Sequence, residues 1–220
     1  MPELSRRDSV FVADFGADEN RTTHTWCDSM EAILDEVEAA PAPAALVTTG
    51  QGKFYCSGLD TDYMKAEPDD VPAYVARVAR IIGRLFAAPL PSVAAVNGHA
   101  FGMGAFLTIA QDRAVMREDR GFVCWPEIQL GMAFPRPLVE LNRARLSNRT
   151  MHEAMITGHR FSATEAVAHG FVEEAVPEDQ LIERAVALAT VQAPLAGKLF
   201  GKIKRQMHRP IIEGLLEFGR

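Results

Sequence analysis

Hydrophobic positions along the chain fall into short apolar runs that alternate with segments of helical period. Val10 to Phe15 is a compact run that predicts a strand. Trp26, Met30, Ile33, Leu34 and Val37 then recur at helical spacing with Asp28, Glu31, Asp35, Glu36 and Glu38 between them, which predicts a helix with one buried and one acidic face. Pro41 and Pro43 end it. Ala45 to Thr49 predicts a buried strand leading into GQGKFYCSG, and Val71 to Ala88 a second helix closed by Pro89 and Pro91. Ser92 to Val96 predicts another strand. It runs into NGHAFGMGAFLTIAQD, whose glycines permit a tight turn before an apolar helix that starts near Gly104.

Two short strands are expected around Arg113 to Met116 and Phe122 to Cys124, followed by WPEIQLGM. The remainder reads as mostly helical: Arg136 to Leu146, a helix capped by Asn148, and one opened by the capping box of Ser162 and Glu165 and stopped near Gly170. Val172 to Val176 predicts a short strand, and two final helices follow, the chain ending at Arg220 within the last of them. Alternating strands and helices define an α/β class. With no repeat or linker, one domain over 1–220 is expected, with a core over 1–191 and a helical region over 192–220.

Composition narrows the classes. The 220 residues are 48% hydrophobic and 24% charged, enough to bury a core. A net charge of -6 argues against nonspecific nucleic-acid binding, which needs surplus Lys and Arg, so an anionic ligand must meet a local basic patch. The most apolar stretch, Leu85 to Ala110, is interrupted by Pro89, Pro91, Asn97, Gly98, His99 and Gly102, and so offers no membrane helix. The start MPELSRRDSVFVADFG has no secretory pattern. Cys27, Cys56 and Cys124 form no CxxC pair, so free thiols in a reducing, cytoplasmic setting are expected and structural zinc is not.

Familiar nucleotide and metal motifs do not fit. Gly98, Gly102 and Gly104 are spaced GxxxGxG rather than GxGxxG, Gly52-Lys53 lacks the P-loop spacing, and His152-Glu153 lacks the second histidine of HExxH. Two turns admit two readings, a purely structural one as tight turns and a chemical one. Ser57-Gly58-Leu59-Asp60 and Gly102-Met103-Gly104 each follow a strand, and each can present backbone N–H groups to a developing oxyanion.

FYCSGLD, PSVAAVNGHAFGMGAFLTIAQDRAVM and WPEIQLGM, in that order, resemble the crotonase superfamily of enoyl-CoA hydratases and isomerases, and FSATEAVAHGFVEEAVP resembles the family's later stretch. The resemblance spans roughly Val10 to Val191. It implies a crotonase-like fold of repeated β-β-α units and a coenzyme A thioester as substrate, with no separate cofactor because coenzyme A belongs to the substrate. It places the two oxyanion N–H donors on Leu59 and Met103, and a substrate-binding surface on Cys56, Ser57, Gly58, Asp60, Gly102 and Phe106. It also implies a homotrimer or hexamer, in which C-terminal lysines of a neighbouring subunit, here Lys198 and Lys202, reach the phosphates.

Departures from the family pattern select the chemistry. Hydratases of the family carry two glutamates, and this chain has Phe106 for one and Glu127 for the other. Phe106 can neither accept a proton nor hold water, so hydration is disfavoured. Shifting a double bond from the 3 to the 2 position needs one base that removes a C2 proton and returns one at C4, a role that falls on Glu127. The expectation is therefore an enoyl-CoA isomerase of fatty acid metabolism. The alternatives are another crotonase-type hydratase, hydrolase or decarboxylase, or a noncatalytic acyl-CoA-binding subunit. His99 with Cys56 or Ser57 as a nucleophile pair, and Asp60 on a ligand rather than as a helix cap, are weaker candidates. Asp112 matches a structural aspartate. Met64, Met103, Met132 and Phe106 belong to the core, some of them lining an acyl pocket.

Overall fold

The computed structural model describes residues 1–219. Among these residues ten strands form two sheets. The larger is ordered β1 (Glu3–Arg7), β2 (Val10–Asp14), β3 (Ala45–Thr49), β5 (Ser92–Val96), β7 (Arg113–Arg117) and β10 (Glu174–Val176). All its neighbours are parallel except β1, which pairs antiparallel with β2. The smaller is ordered β4 (Phe54–Cys56), β6 (His99–Phe101), β8 (Val123–Cys124) and β9 (Arg160–Phe161).

Three times the chain lays a strand in the large sheet, then one in the small sheet, then turns into helix: β3–β4 before α2 (Thr61–Ala66) and α3 (Val71–Ala87), β5–β6 before α4 (Met103–Ala110), and β7–β8 before a 3₁₀ turn at Glu127–Leu130 and α5 (Arg136–Arg145). These repeated β-β-α units make the fold crotonase-like. Both candidate turns leave small-sheet strands β4 and β6, so parallel pairing of Cys56 with Ala100 brings them side by side.

Helix α1 (His24–Ala39) starts where the Thr23 hydroxyl accepts the Trp26 N–H at 3.2 Å, and it buries Trp26, Met30, Ile33, Leu34 and Val37. Its acidic face is not free: Arg77 of α3 binds Asp28 and Glu31, and Arg84 binds Asp35 and Glu38. Helix α6 (Asn148–Thr157) corrects one expectation. Its cap is Ser147, whose hydroxyl accepts the Thr150 N–H at 3.1 Å, while Asn148 is the first helical residue. The capping box of Ser162 and Glu165 opens α7 (Ala163–Ala168) as expected.

The last two helices are α8 (Glu178–Gln192) and α9 (Lys198–Leu216); residue 220 lies outside the described residues. Helix α9, bent at His208 shortly before Pro210, runs antiparallel along α3, with Gly201 against Pro89 and Leu215 against Gly83. It is pinned by Lys204, whose ammonium lies 2.9 Å from Asp112. The same carboxylate accepts the N–H and O–H of Ser92, so Asp112 ties α9 to the large sheet, and its role is structural.

Candidate active site

Two glycine turns meet a carboxylate. Gly58 and Gly102 both hold positive φ, 98° and 53°, where a side chain would strain the backbone. A β-carbon on Gly58 would lie 2.8 Å from the Phe101 carbonyl and 3.5 Å from the Met103 nitrogen, so the two turns touch. Gly104 packs still closer, its missing side chain leaving room for the Cys56 carbonyl.

Gly102 caps α4, placing Met103 at the helix N-terminus, where N–H groups have no partner from a preceding turn. Among the described residues neither the Leu59 nor the Met103 N–H has a hydrogen-bond partner. Around them the main chain is tied down: Gly58 O accepts the Thr22 N–H, Ser57 N–H donates to Glu19 O, and Gly102 N–H donates to Cys124 O at 2.9 Å. Two free donors therefore sit in a frame of satisfied ones.

Glu127 opens the 3₁₀ turn after Trp125-Pro126. Its Oε1 would be 3.3 Å from a β-carbon on Gly102, which puts the carboxylate over the turn that carries the Met103 N–H. Its Oε2 is shut off from solvent and has no hydrogen-bond partner among the described residues. Burial pushes the Glu127 carboxyl up to about 7, against a smaller opposing effect from its own backbone N–H. A carboxylate poised near neutrality can both take and return a proton.

Other sequence candidates resolve differently. Phe106 and Cys56 are fully buried, so neither presents a side chain to a ligand. Phe106 instead packs edge-on to Trp125 and Phe134, each with ring centroids 6.1 Å away, and holds the Glu127 segment from behind. Asp60 caps α2 through the Asp62 and Tyr63 N–H groups and pairs with Arg21 at 3.1 Å, the structural role rather than the ligand role. His99 stacks among Phe54, Phe101 and Phe122, and burial, then Lys53 and Arg160, hold its imidazole below the usual range. The Cys56 thiol is fully buried and pushed up to about 12 by that burial, which disfavours it as a nucleophile for His99.

Lys198 and Lys202 are not brought to this site within one chain. They line a cleft of about 550 Å³ with Arg205 and Arg209 beside Pro89. Tyr74, at the other end of α3, touches Asp60, about 20 Å away by the rise of thirteen helical residues. Lys204, on the same helix, is spent on Asp112.

Some supports had no motif. The Tyr74 hydroxyl accepts the Asp60 N–H and donates to Thr22 O, both at 2.9 Å, bracing the residue after Leu59. The Asn20 and Asn97 amides both donate to Phe54 O and fix the entry to β4. Only their long-range partners reveal them.

Parallel strand pairing thus sets two turns with unpartnered N–H groups side by side, and Glu127, with its raised carboxyl, lies over the second of them. Residues 14–216 match the enoyl-CoA hydratase/isomerase family, and the chain belongs to that family. Its relatives include enoyl-CoA delta isomerase 1, peroxisomal, of Arabidopsis thaliana, 27% identical over 96% of this chain and 91% of that protein. Carnitinyl-CoA dehydratase of Salmonella typhi is 32% identical over 84% of this chain and 72% of the relative. Among solved structures, an enoyl-CoA hydratase/isomerase family protein from Pseudomonas syringae superposes with a TM-score of 0.91 at 24% identity, covering 97% of this chain and 93% of the other.

Proposed function

We propose that this enzyme moves the double bond of a 3-enoyl-CoA to the 2 position through an enolate. The Leu59 and Met103 N–H groups hold the thioester oxygen, where negative charge develops. The Glu127 carboxylate removes a proton from C2, and the resulting carboxylic acid returns one at C4, so the substrate is isomerised with no net gain or loss of protons. No cofactor is needed beyond the coenzyme A that the substrate carries.

One observation carries the reading: the half-buried Glu127 carboxylate, raised by burial, stands over the Met103 turn. The resemblance gives the position of a hydratase's second glutamate to Phe106, which is fully buried. Water addition would need a second group to hold and polarise water. The isomerase names of the Arabidopsis relatives support the same choice. Glu127→Gln keeps shape and removes the base, so turnover of 3-enoyl-CoA should fall about 10² to 10⁴-fold with acyl-CoA affinity nearly unchanged. A variant as fast as the parent, or a parent that hydrates 2-enoyl-CoA as fast as it isomerises, would overturn the mechanism.

The proposal extends to a homotrimer or hexamer of fatty acid metabolism in the cytoplasm. Three buried free thiols support a reducing setting, and among the described residues no helix is long and apolar enough to cross a membrane. The cleft with Lys198 and Lys202 would then serve the phosphates of a thioester bound by a neighbouring subunit, with affinity that weakens as salt rises.

A further inference from the structure

An N–H and the carbonyl that precedes it share one planar trans peptide and point in opposite directions, so an N–H donor is aimed by whatever holds that carbonyl. For Met103 the carbonyl is that of Gly102, which accepts the Ala105 and Phe106 N–H groups at 3.0 and 3.2 Å in the first turn of α4. The helix itself fixes this donor.

Leu59 has no helix behind it. Its N–H belongs to the Gly58–Leu59 peptide, and Gly58, at a φ of 98° and without a β-carbon, does little by itself to stop that peptide turning over. Turned over, the peptide would aim the Gly58 carbonyl where the N–H now points and repel the charge it should stabilise. Thr22 holds that carbonyl: its N–H donates to Gly58 O at 2.9 Å and its hydroxyl at 3.3 Å. The next peptide is held as well. Asp60 N–H donates to the Tyr74 hydroxyl, which in turn donates to Thr22 O, both at 2.9 Å. These contacts close a ring from Thr22 through Gly58, Leu59, Asp60 and Tyr74 back to Thr22. Both side chains are fully buried, so the ring is a satisfied polar network shielded from water, the kind that holds one geometry. Leu59 N–H, one member of it, has no partner among the described residues.

We infer that Thr22 and Tyr74 are positioning residues for the reaction, acting through the two peptides that flank Leu59 to keep its N–H turned toward the thioester oxygen. The inference rests on the oxyanion reading above and adds the side chains on which the first donor depends. The two donors then differ in kind, one set by a helix and one by a buried clasp of two hydroxyls.

A thioester carbonyl reports its own hydrogen bonds, because donors weaken the C=O bond and lower its stretching frequency. Isotope-edited infrared difference spectra of octanoyl-CoA carrying a heavy carbonyl carbon should show a lower frequency on the parent than in water. Tyr74→Phe, which keeps the ring and loses the oxygen, should reverse part of that lowering. Its kcat for 3-enoyl-CoA should fall about 10- to 10²-fold with KM little changed, short of the ~10²–10³-fold cost of removing a whole oxyanion donor. Thr22→Val should act in the same direction, and Thr22→Ser, which restores the hydroxyl, should return the parent spectrum. Tyr63→Phe removes a hydroxyl from the ring packed edge-on to Tyr74 at 5.4 Å and should leave spectrum and kcat alone. A cooperative melt checks each fold, and should Tyr74→Phe not fold, Thr22→Val and its serine rescue decide. A lowering that Tyr74→Phe and Thr22→Val both leave intact, or that Tyr63→Phe disturbs equally, overturns the clasp alone. A parent that binds octanoyl-CoA without lowering the frequency, or does not bind it, overturns the oxyanion reading and the clasp together.

Discussion

A carboxylate that takes a proton from carbon near neutral pH must be basic enough to accept it and acidic enough to give it back. Glu127 meets both demands through burial, which lifts its carboxyl from 4.5 to about 7. The ionised form is the base, so kcat/KM for 3-enoyl-CoA should rise with pH through a limb near 7, and that limb should be missing from the residual activity of Glu127→Gln. Stability carries the opposite sign. A carboxyl raised in the folded state binds its proton more tightly there, so its contribution is fully present below 4.5 and is lost as pH rises through about 7. Melting temperatures of the parent should therefore fall relative to Glu127→Gln across that window. A difference between the two proteins that does not change with pH would show that the carboxyl titrates at an ordinary value.

At the scale of elements, the site is held by packing that leaves little tolerance. Helix α9 lies so close on α3 that a β-carbon at Gly83 would sit 2.8 Å from the Leu215 β-carbon, an atom that cannot move without its backbone. Gly83→Ala would gain about 1 kcal/mol of helix propensity, yet overpacking costs about 1–3 kcal/mol, so the melting temperature should fall rather than rise. The ion pair beneath α9 behaves likewise: Asp112→Ala strands the buried Lys204 ammonium and should destabilise more than Lys204→Met, which removes the charge with the contact. Legibility in the sequence follows the same physics. Strands β2, β3 and β5 were readable because their runs are apolar on both faces, as central parallel strands must be. Strand β1 was not, because Glu3–Arg7 is mostly exposed and pairs on one side only, and β4 and β6 are three residues long. Glu127 and the Gly102 turn were legible as motifs, while Tyr74, Asn20 and Asn97 were not, since their partners lie far away in sequence. Where Lys198 and Lys202 lie in the chain's own fold was not legible, because only the antiparallel docking of α9 on α3 carries them to the far end.

Over the whole molecule, what remains exposed is as informative as what is buried. Leu199, Ile203 and Met207 recur every four residues along α9 and are 70%, 46% and 68% exposed, and Leu195 of the preceding 3₁₀ turn, at 60%, and Val191 of α8, at 79%, continue the spacing. Single exposed leucines need no explanation, but a run of exposed apolar residues at regular spacing does. It borders a cavity of about 680 Å³ whose floor holds Lys204, Asp112, Arg113 and Arg145, charges already paired or bound to main-chain carbonyls and thus ready to be covered. A second copy of the chain is the occupant that fits the proposed trimer or hexamer, because the same face would then be removed from water in every subunit. Sedimentation should accordingly give a mass that is three or six times 24.1 kDa for the parent. Leu199→Glu with Ile203→Glu, both on the exposed face, should shift it to 24.1 kDa while the far-ultraviolet dichroism of the fold is kept. If the cleft of Lys198 and Lys202 serves a neighbouring subunit's thioester as proposed, the same double variant should bind acyl-CoA more weakly and lose much of its salt dependence, with Glu127 still ionising near 7. A parent that sediments as a monomer at assay concentration would refute the assembly, and the run would then have to serve a different partner.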